Sequence, residues 1–366
     1  MSTIAVALSG GVDSSVSALL LRNQGNNIIG MHMTNWEEEV FSPCSQDRDL
    51  SDARQIATFL NIPFYPCNFT KEYYREVFLD FIDSYQKGYT PNPDVFCNKE
   101  IKFKVLLEKA RLLGADSIAT GHYARIQYVA GRYELHRASD ESKDQSYFLY
   151  ILNEELLAII KFPLATTHKS QTRDLAKLHG LHTYAKKDST GICFIGEKNF
   201  RPFLKKFITT QKGEIKCLES GRIIGEHEGS VLYTIGQRTG LGIGGVSGAK
   251  EKPWYVAKKN IGTNTIYVVQ GEHPALYYDT LITNQPHWIH KENYAAPPKI
   301  AEAKIRYRQL QQSCEISKHS DGGLQVSFRN PQRAVAQGQS VVFYQDTHCL
   351  GGSVIARAEN NYTNTN

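Results

Sequence analysis

Ser9 to Ser14 reads SGGVDS; it follows a short apolar run, Ile4 to Leu8, and precedes Val16, Leu19 and Leu20 at helical spacing. A strand that ends in Gly10 and Gly11 lets backbone amides crowd an anion, while the next helix offers unpaired N–H groups and the positive end of its dipole. Ser9 and Ser14 add hydroxyl donors. Asp13 is the odd member: a carboxylate repels a polyphosphate unless Mg²⁺ lies between them, so the hexapeptide predicts a nucleotide with metal. It is neither a P-loop, which ends in GKS or GKT, nor the GxGxxG of a dinucleotide fold. A plain glycine turn joining strand to helix is the competing reading.

Two cysteines stand in polar, turn-rich settings. Cys97 lies in TPNPDVFCNKEIKF, where two prolines stiffen the approach. A helix expected from Asn98 would put the thiol at its N-terminus, with Lys99, Lys102 and Lys104 adding positive potential, a setting that favours a reactive thiolate. The ordinary alternative is a buried, inert thiol. Cys193 lies in KKDSTGICFIG, after Lys186 and Lys187. Two such thiols could close over a substrate as a redox pair. The chain has seven cysteines, odd in number and never in CxxC spacing, which argues against a disulfide scaffold or zinc ribbon. Asp94, three positions before Cys97, suits a general base or an orienter equally with a helix-capping role.

The elements that must carry these residues alternate. Strands are expected near Ile4–Leu8, Asn27–Met33, Pro63–Cys67 and Ser117–Thr120, separated by helices, with Gly25 and Gly114 at helix C-caps; this predicts an α/β, doubly wound parallel sheet. Tyr123 to Arg137 reads as a hairpin, and helical patterns over Ser146–Lys161, Ser170–His179 and Asn199–Ile208 extend the first domain. Glycines become dense after Gly213. Residues 213–271 predict a small β unit, with strands at Trp254–Ala257 and Ile266–Val269, and the glycines of the Gly236–Gly245 loop serve turns. Short strands at Ile300–Tyr307, Leu324–Phe328, Ser340–Tyr344 and Ser353–Arg357 predict a closed or sandwich-like β domain. The boundaries expected are 1–208, 209–272 and 273–360, with a disordered tail at 361–366.

At 366 residues and 41% hydrophobic content the chain can bury several cores, and a net charge of +5 is compatible with a polyanionic partner. The amino terminus shows no signal-peptide pattern and no apolar run reaches membrane length, so a cytoplasmic location and no membrane partner are expected.

SGGVDS, GMHMTNWEEE, TPNPDVFCNKEIKF, ATGHYAR, KDQSYFLY, KKDSTGICFIGEKNF, YTIGQRTGLGIGG, PWYV, RYRQ and GQSVVFY occur in this order. Together they resemble the signature blocks of the bacterial and organellar tRNA 2-thiouridylases, from the first strand to about residue 352. SGGVDS alone would identify only the wider group of ATP pyrophosphatases and would admit an amide- or guanidine-forming ligase, which needs neither Cys97 nor Cys193. An RNA-binding β-barrel protein with a vestigial nucleotide site is the non-enzyme alternative; an intact Asp13 and both cysteines weigh against it.

The resemblance implies an ATP-pyrophosphatase domain, a small central β domain and a C-terminal β-barrel, and an enzyme that replaces the C2 oxygen of the wobble uridine by sulfur at the expense of ATP with Mg²⁺. It implies ATP contacts from Ala7, Leu8, Ser9, Gly10, Gly11, Val12, Asp13 and Ser14, with Met33 near the adenine or ribose and Gly121 allowing close approach. Cys193 corresponds to the persulfide carrier and Cys97 to the nucleophile, the two forming a transient disulfide. For tRNA the resemblance points to Asn92, Pro93, Asp94, His122, Lys143, Asp144, Gln145, Arg306, Tyr307 and Gln339. The basic stretch Lys299–Lys318 agrees with a phosphate backbone. Relatives with an iron–sulfur cluster replace the Asp by cysteine, so Asp94 implies no cluster. The expected partners are tRNAs for Lys, Glu and Gln and a persulfide relay fed by a cysteine desulfurase, with a monomeric enzyme. Leu8 in place of a frequent Met and Gln337 in place of a frequent Pro remove no functional group.

Overall fold

The computed structural model describes residues 2–36, 44–188, 200–244 and 251–359, with the backbone alone for 44–47. Cys193, Gly245 and the tail fall outside the described residues, so the expectations placed on them do too.

Near the amino terminus, β1 (Thr3–Ala7), β2 (Asn27–Thr34), β3 (Phe64–Asn68), β4 (Ser117–Ala119) and β7 (Ile160–Lys161) form one parallel sheet in the order β3-β2-β1-β4-β7. Helices α1 (Val12–Asn23) and α2 (Cys44–Phe59) lie between strands, as the alternating pattern predicts. Sequential strands run outward from β1 on one side, while β4 adds on the other. The loop after β1 therefore opens at the switch in strand order, where α/β sheets leave a crevice at their carboxyl edge. Gly25 and Gly114, at φ 79° and 81°, close their helices as expected.

The hairpin of β5 (Ala124–Val129) and β6 (Arg132–Arg137) departs from expectation. Its β6 pairs with β18 (His348–Glu359), so it extends the C-terminal sheet rather than the first. The helix expected over Ser146–Lys161 is also absent: a 3₁₀ turn at Ser146–Phe148 and one helical turn at Glu154–Leu157 precede β7. Tertiary contacts override propensity here. Ser146, Tyr147, Leu149, Tyr150 and Leu152 are all buried, leaving none of the polar face that a surface helix keeps.

The central unit is a four-stranded sheet in the order β10 (Trp254–Asn260), β11 (Thr265–Gln270), β8 (Gly213–Cys217) and β9 (Ile223–His227). The C-terminal unit closes on itself. Strands β12 (Tyr277–Thr283), β16 (Leu324–Arg333), β15 (Gln312–Lys318), β14 (Ile300–Lys304), β17 (Ser340–Gln345) and β18 pair in that order, and β12 pairs again with β18. The result is a six-stranded barrel without a free edge. Its core holds Trp288, Val326, Val341, Phe343 and Ile355. A larger core runs from Met31 and Phe78 through Cys97 and Leu106 to Leu232 and Val256, so the first sheet and the central unit share buried surface. No helix among the described residues is long and apolar enough to cross a membrane.

Candidate active site

The SGGVDS loop is folded by its own small residues. Ser14 Oγ accepts from Ser9 N at 3.2 Å, stands 3.1 Å from Ser9 Oγ and donates to the Gly11 carbonyl at 3.0 Å; Ser15 Oγ donates to the same carbonyl at 2.8 Å. Helix α1 starts at Gly11 with no side-chain cap, leaving its first N–H groups directed into the loop. A Cβ on Gly11 would meet only Ser9 Oγ, at 3.4 Å, so this side of the loop is open. Such a cradle fits a phosphate group.

Gly10 serves a different need. It has φ 77°, and a Cβ there would lie 2.3 Å from the backbone oxygen of Asp49 in α2. Gly121 is similarly pressed, since its Cβ would stand 2.8 Å from Ser14 N and 2.9 Å from the Asp13 carbonyl carbon. The absence of a side chain at Gly121 lets the end of β4 abut the loop itself. Leu8 and Val12 are buried beneath the loop, and Met33 stands at the carboxyl end of β2, two residues beyond the Ala7–Met31 pair.

Asp13 is not a lone carboxylate. Lys169 donates to both its oxygens at 2.7 Å, and Tyr123 Oη donates to one at 2.9 Å. Lys169 also pairs with Asp188 at 2.8 Å, as do Lys143 at 2.8 Å and Arg173 at 2.7 Å. Partial burial opposes the Asp188 charge, but Lys143 and Lys169 outweigh it and hold the carboxyl near a pKa of about 2. Lys186 reaches the loop as well, donating to the Gly10 carbonyl at 2.9 Å and to Asp49 at 2.6 Å. Lys169 already offsets the Asp13 carboxylate, so a metal is not the sole means by which it could sit beside a phosphate. Lys169 and Arg173 carry no sequence signal, Lys169 lying 156 positions from Asp13, and Asp188 is marked only as a member of the KKDSTGICFIG segment. Lys186 stood out only as a residue before Cys193.

The helix bearing Cys97 begins earlier than predicted. It runs over 93–112, with Asn92 at the N-cap and Pro93 at the first position, where a missing N–H costs nothing. The Cys97 N–H already bonds to the Pro93 carbonyl, so the thiol sits one turn inside rather than at the tip, and it is buried. Residues Cys97–Val105 are π-helical, a form that recurs at functional sites.

A chain of contacts joins this helix to the loop. Gly121 abuts Asp13 and Ser14, and the neighbouring His122 lies 3.4 Å from Lys102 Nζ, with Thr120 Oγ1 at 2.7 Å from its Nδ1. Burial and the Lys102 ammonium hold His122 well below the usual imidazole range. On the same helix, burial pushes Asp94 up and Lys102 draws it partly back. Asn98 Nδ2 donates to the Phe148 carbonyl at 3.0 Å, and the Phe148 ring lies 4.6 Å from that of Tyr307. Tyr307 Oη donates to the Lys143 carbonyl at 3.3 Å, which brings the barrel to the same place.

Some residues expected at an RNA surface are engaged internally. Asp144 is enclosed, with no side-chain exposure; it accepts from Ser146 Oγ at 3.0 Å and pairs with Lys304 at 3.4 Å. Lys304 is therefore withdrawn from the basic stretch Lys299–Lys318. Arg306 donates to the Ala334 carbonyl. Gln145 accepts from Tyr123 N at 2.9 Å and is half-buried, and Gln339 donates to the Thr90 carbonyl at 2.8 Å. In the glycine-rich loop, Gly236, Gly240 and Gly242 have positive φ, the turn role expected of them.

Comparison with known proteins follows the same division. Residues 2–197 match the family described as tRNA methyl transferase HUP domain, 201–270 the tRNA methyl transferase PRC-barrel domain and 278–355 the aminomethyltransferase beta-barrel domain. A tRNA-specific 2-thiouridylase MnmA of Coxiella burnetii is 49% identical over 96% of this chain and 97% of its own length. One from Francisella tularensis subsp. holarctica is 50% identical over 96% of this chain and 98% of its own. Among solved structures, the U34-tRNA thiolase NcsA from Methanococcus maripaludis is 21% identical and covers 56% of this chain and 64% of its own, with a TM-score of 0.36, too low to bear on function. With relatives of that identity along nearly the whole chain, the protein belongs to the tRNA-specific 2-thiouridylases, sulfurtransferases that act on tRNA.

Proposed function

We propose that the protein thiolates the wobble uridine, position 34 of its tRNA, in two chemical stages on the carboxyl edge of the first sheet. The observation that carries this reading is the contact chain from Asp13 and Ser14 through Gly121, His122 and Lys102 to the Cys97 helix. It links an anion cradle to the helix that carries a thiol.

Uridine C2 is a poor electrophile because oxide is a poor leaving group. In the first stage the C2 oxygen attacks the α-phosphorus of ATP and pyrophosphate leaves. In this reading the uncapped N–H groups of α1, Ser9, Ser14 and the cations Lys169 and Lys186 hold the phosphates, with Mg²⁺ accompanying the nucleotide. In the second stage the terminal sulfur of a Cys193 persulfide attacks C2 and AMP departs. The Cys97 thiolate then attacks Cys193 Sγ, the S–S bond breaks, the thiocarbonyl is released and a Cys97–Cys193 disulfide remains for an external thiol to reduce. Release of hydrosulfide by Cys97 before attack on C2 is the alternative order. Asp188, five positions before Cys193 in the sequence, is anchored beside the loop by Lys169, which supports a role for Cys193. In this reading Lys143, His122, Arg306 and Tyr307 contact the tRNA, and a persulfide relay is the matching sulfur source; the link from Tyr307 Oη to the Lys143 carbonyl supports grouping them. Asp94 on the Cys97 helix favours thiol chemistry without an iron–sulfur cluster.

Incubation with tRNA, ATP, Mg²⁺ and a persulfide donor should give AMP, pyrophosphate and 2-thiouridine at position 34 in equal amounts. Formation of ADP instead, or thiolation elsewhere in the tRNA, would overturn the reading. Asp94 gives a second test. Its raised pKa means that the carboxylate form is lost at a higher pH than for an ordinary Asp. If it serves as base, kcat falls as pH drops through that raised value, and Asp94→Asn abolishes the acidic limb at a cost of about 10²-fold. A profile unchanged in Asp94→Asn leaves it a structural residue.

A further inference from the structure

The peptide leading into the Cys97 helix is clasped by segments far away in sequence. Thr90 N–H donates to the Gln337 carbonyl at 2.8 Å, and Gln339 Nε2 donates to the Thr90 carbonyl at 2.8 Å and lies 3.4 Å from the Pro91 oxygen. Between them Gly338, at φ 89°, passes so close that a Cβ would stand 3.0 Å from both Thr90 N and Tyr89 Cβ. From the central unit, Thr90 Oγ1 meets Thr234 Oγ1 at 3.2 Å, and Lys259 Nζ bridges the Gly88 and Tyr233 carbonyls at 2.6 Å each. Pro91 and Pro93 have no N–H of their own, so apart from the Thr90 N–H this stretch is held through its carbonyls. The helix that follows turns π-helical at Cys97. A cavity of about 160 Å³ lies beside it, lined by Asn92, Phe96 and Lys99 and, across from them, Tyr150, His287 and Ser340, so close-packed side chains do not back the helix there.

We propose that Gln339 is a positioning residue that sets the Cys97 helix, and that RNA seated on the barrel acts on Cys97 by drawing the Gln339 amide away from the Thr90 and Pro91 carbonyls. This rests on the proposed function, in which Cys97 works only once tRNA is bound. One side-chain amide holds two carbonyls just ahead of the helix, so an RNA acceptor that engages it frees both together. The adjoining cavity gives the helix room to turn, and the buried thiol becomes accessible when its substrate is present.

The test is the rate at which a small alkylating reagent labels Cys97 in the reduced full-length protein, read site by site by mass spectrometry. In the wild type labelling should be slow and should rise about tenfold when tRNA is added, the worth of one or two neutral hydrogen bonds. Gln339→Ala should label about ten times faster without RNA and gain less than twofold from tRNA. Gln339→Lys, which restores a donor, should return to the slow rate. Wild-type labelling in Gln339→Ala with only a raised KM for tRNA would make Gln339 an RNA contact and overturn the proposal. So would labelling that spreads to Cys314 and Cys349 in the barrel, the mark of general loosening. The labelling needs no turnover: if the wild type fails to thiolate tRNA while Gln339→Ala still exposes Cys97, the functional reading falls and the clasp stands.

Discussion

Replacing Cys193 with Ala is expected to lower 2-thiouridine formation by at least about a thousandfold while leaving one turnover of tRNA-dependent pyrophosphate release intact. The two stages of the proposed reaction use different parts of the molecule. Activation needs the loop and its cations, and sulfur delivery needs the persulfide carrier. Three of the described cysteines are poor substitutes. Burial pushes the thiols of Cys67 and Cys349 up, and that of Cys314 up to about 12, so they hold too little thiolate near neutral pH. Nucleoside mass spectrometry reads the first quantity and pyrophosphate release the second. Undiminished thiouridine in the variant would remove the persulfide from the mechanism.

Gly10→Ala is expected to cost at least about 10²-fold in kcat/KM for ATP, together with a fall in Tm of several degrees. Two penalties coincide at this residue. An Ala at φ 77° pays about 1–2 kcal/mol for the left-handed backbone. Its Cβ would also lie 2.3 Å from the Asp49 oxygen, a backbone atom that cannot swing aside, so α2 must retreat. That retreat breaks the hold of Lys186, which joins the Gly10 carbonyl to Asp49. Gly11→Ala is the control: Gly11 is extended at φ −92°, with nothing nearer than Ser9 Oγ at 3.4 Å. It should leave Tm nearly unchanged and raise the KM for ATP, because the new methyl faces the cradle. Melting curves and ATP kinetics on both variants separate folding from binding. Equal losses in both variants would show that Gly10 acts on the ligand rather than on the fold.

The phosphate loop was legible because its chemistry and its fold are both local. A short apolar run, two glycines and a helical period lie within 20 residues, and they specify strand, turn and helix together. The Cys97 helix was legible in type but misplaced at its start. Pro93 looked like a stiffener of the approach, whereas a proline is most at home on the first turn, and the thiol moved inward by one turn. The resemblance points to Asp144 as a tRNA contact, and Lys304 belongs to the basic stretch Lys299–Lys318. They are 160 positions apart, and only the packing of β14 against the first domain turns them into a buried pair.

By itself, then, the sequence determined the parallel sheet, the anion cradle at the end of its first strand, the two thiols and, through its ordered motifs, the family. Those depend on short-range periodicity and on residue types in fixed local spacing. Tertiary structure alone decided that Lys169 pairs with Asp13, that the β5–β6 hairpin extends the barrel's sheet, and that Gln339 holds the peptide ahead of Cys97. Each of these joins residues over a hundred positions apart. An ion pair or hydrogen bond of that span leaves no periodic trace, because what places it is the closing of sheets and cores around it and not the neighbours along the chain.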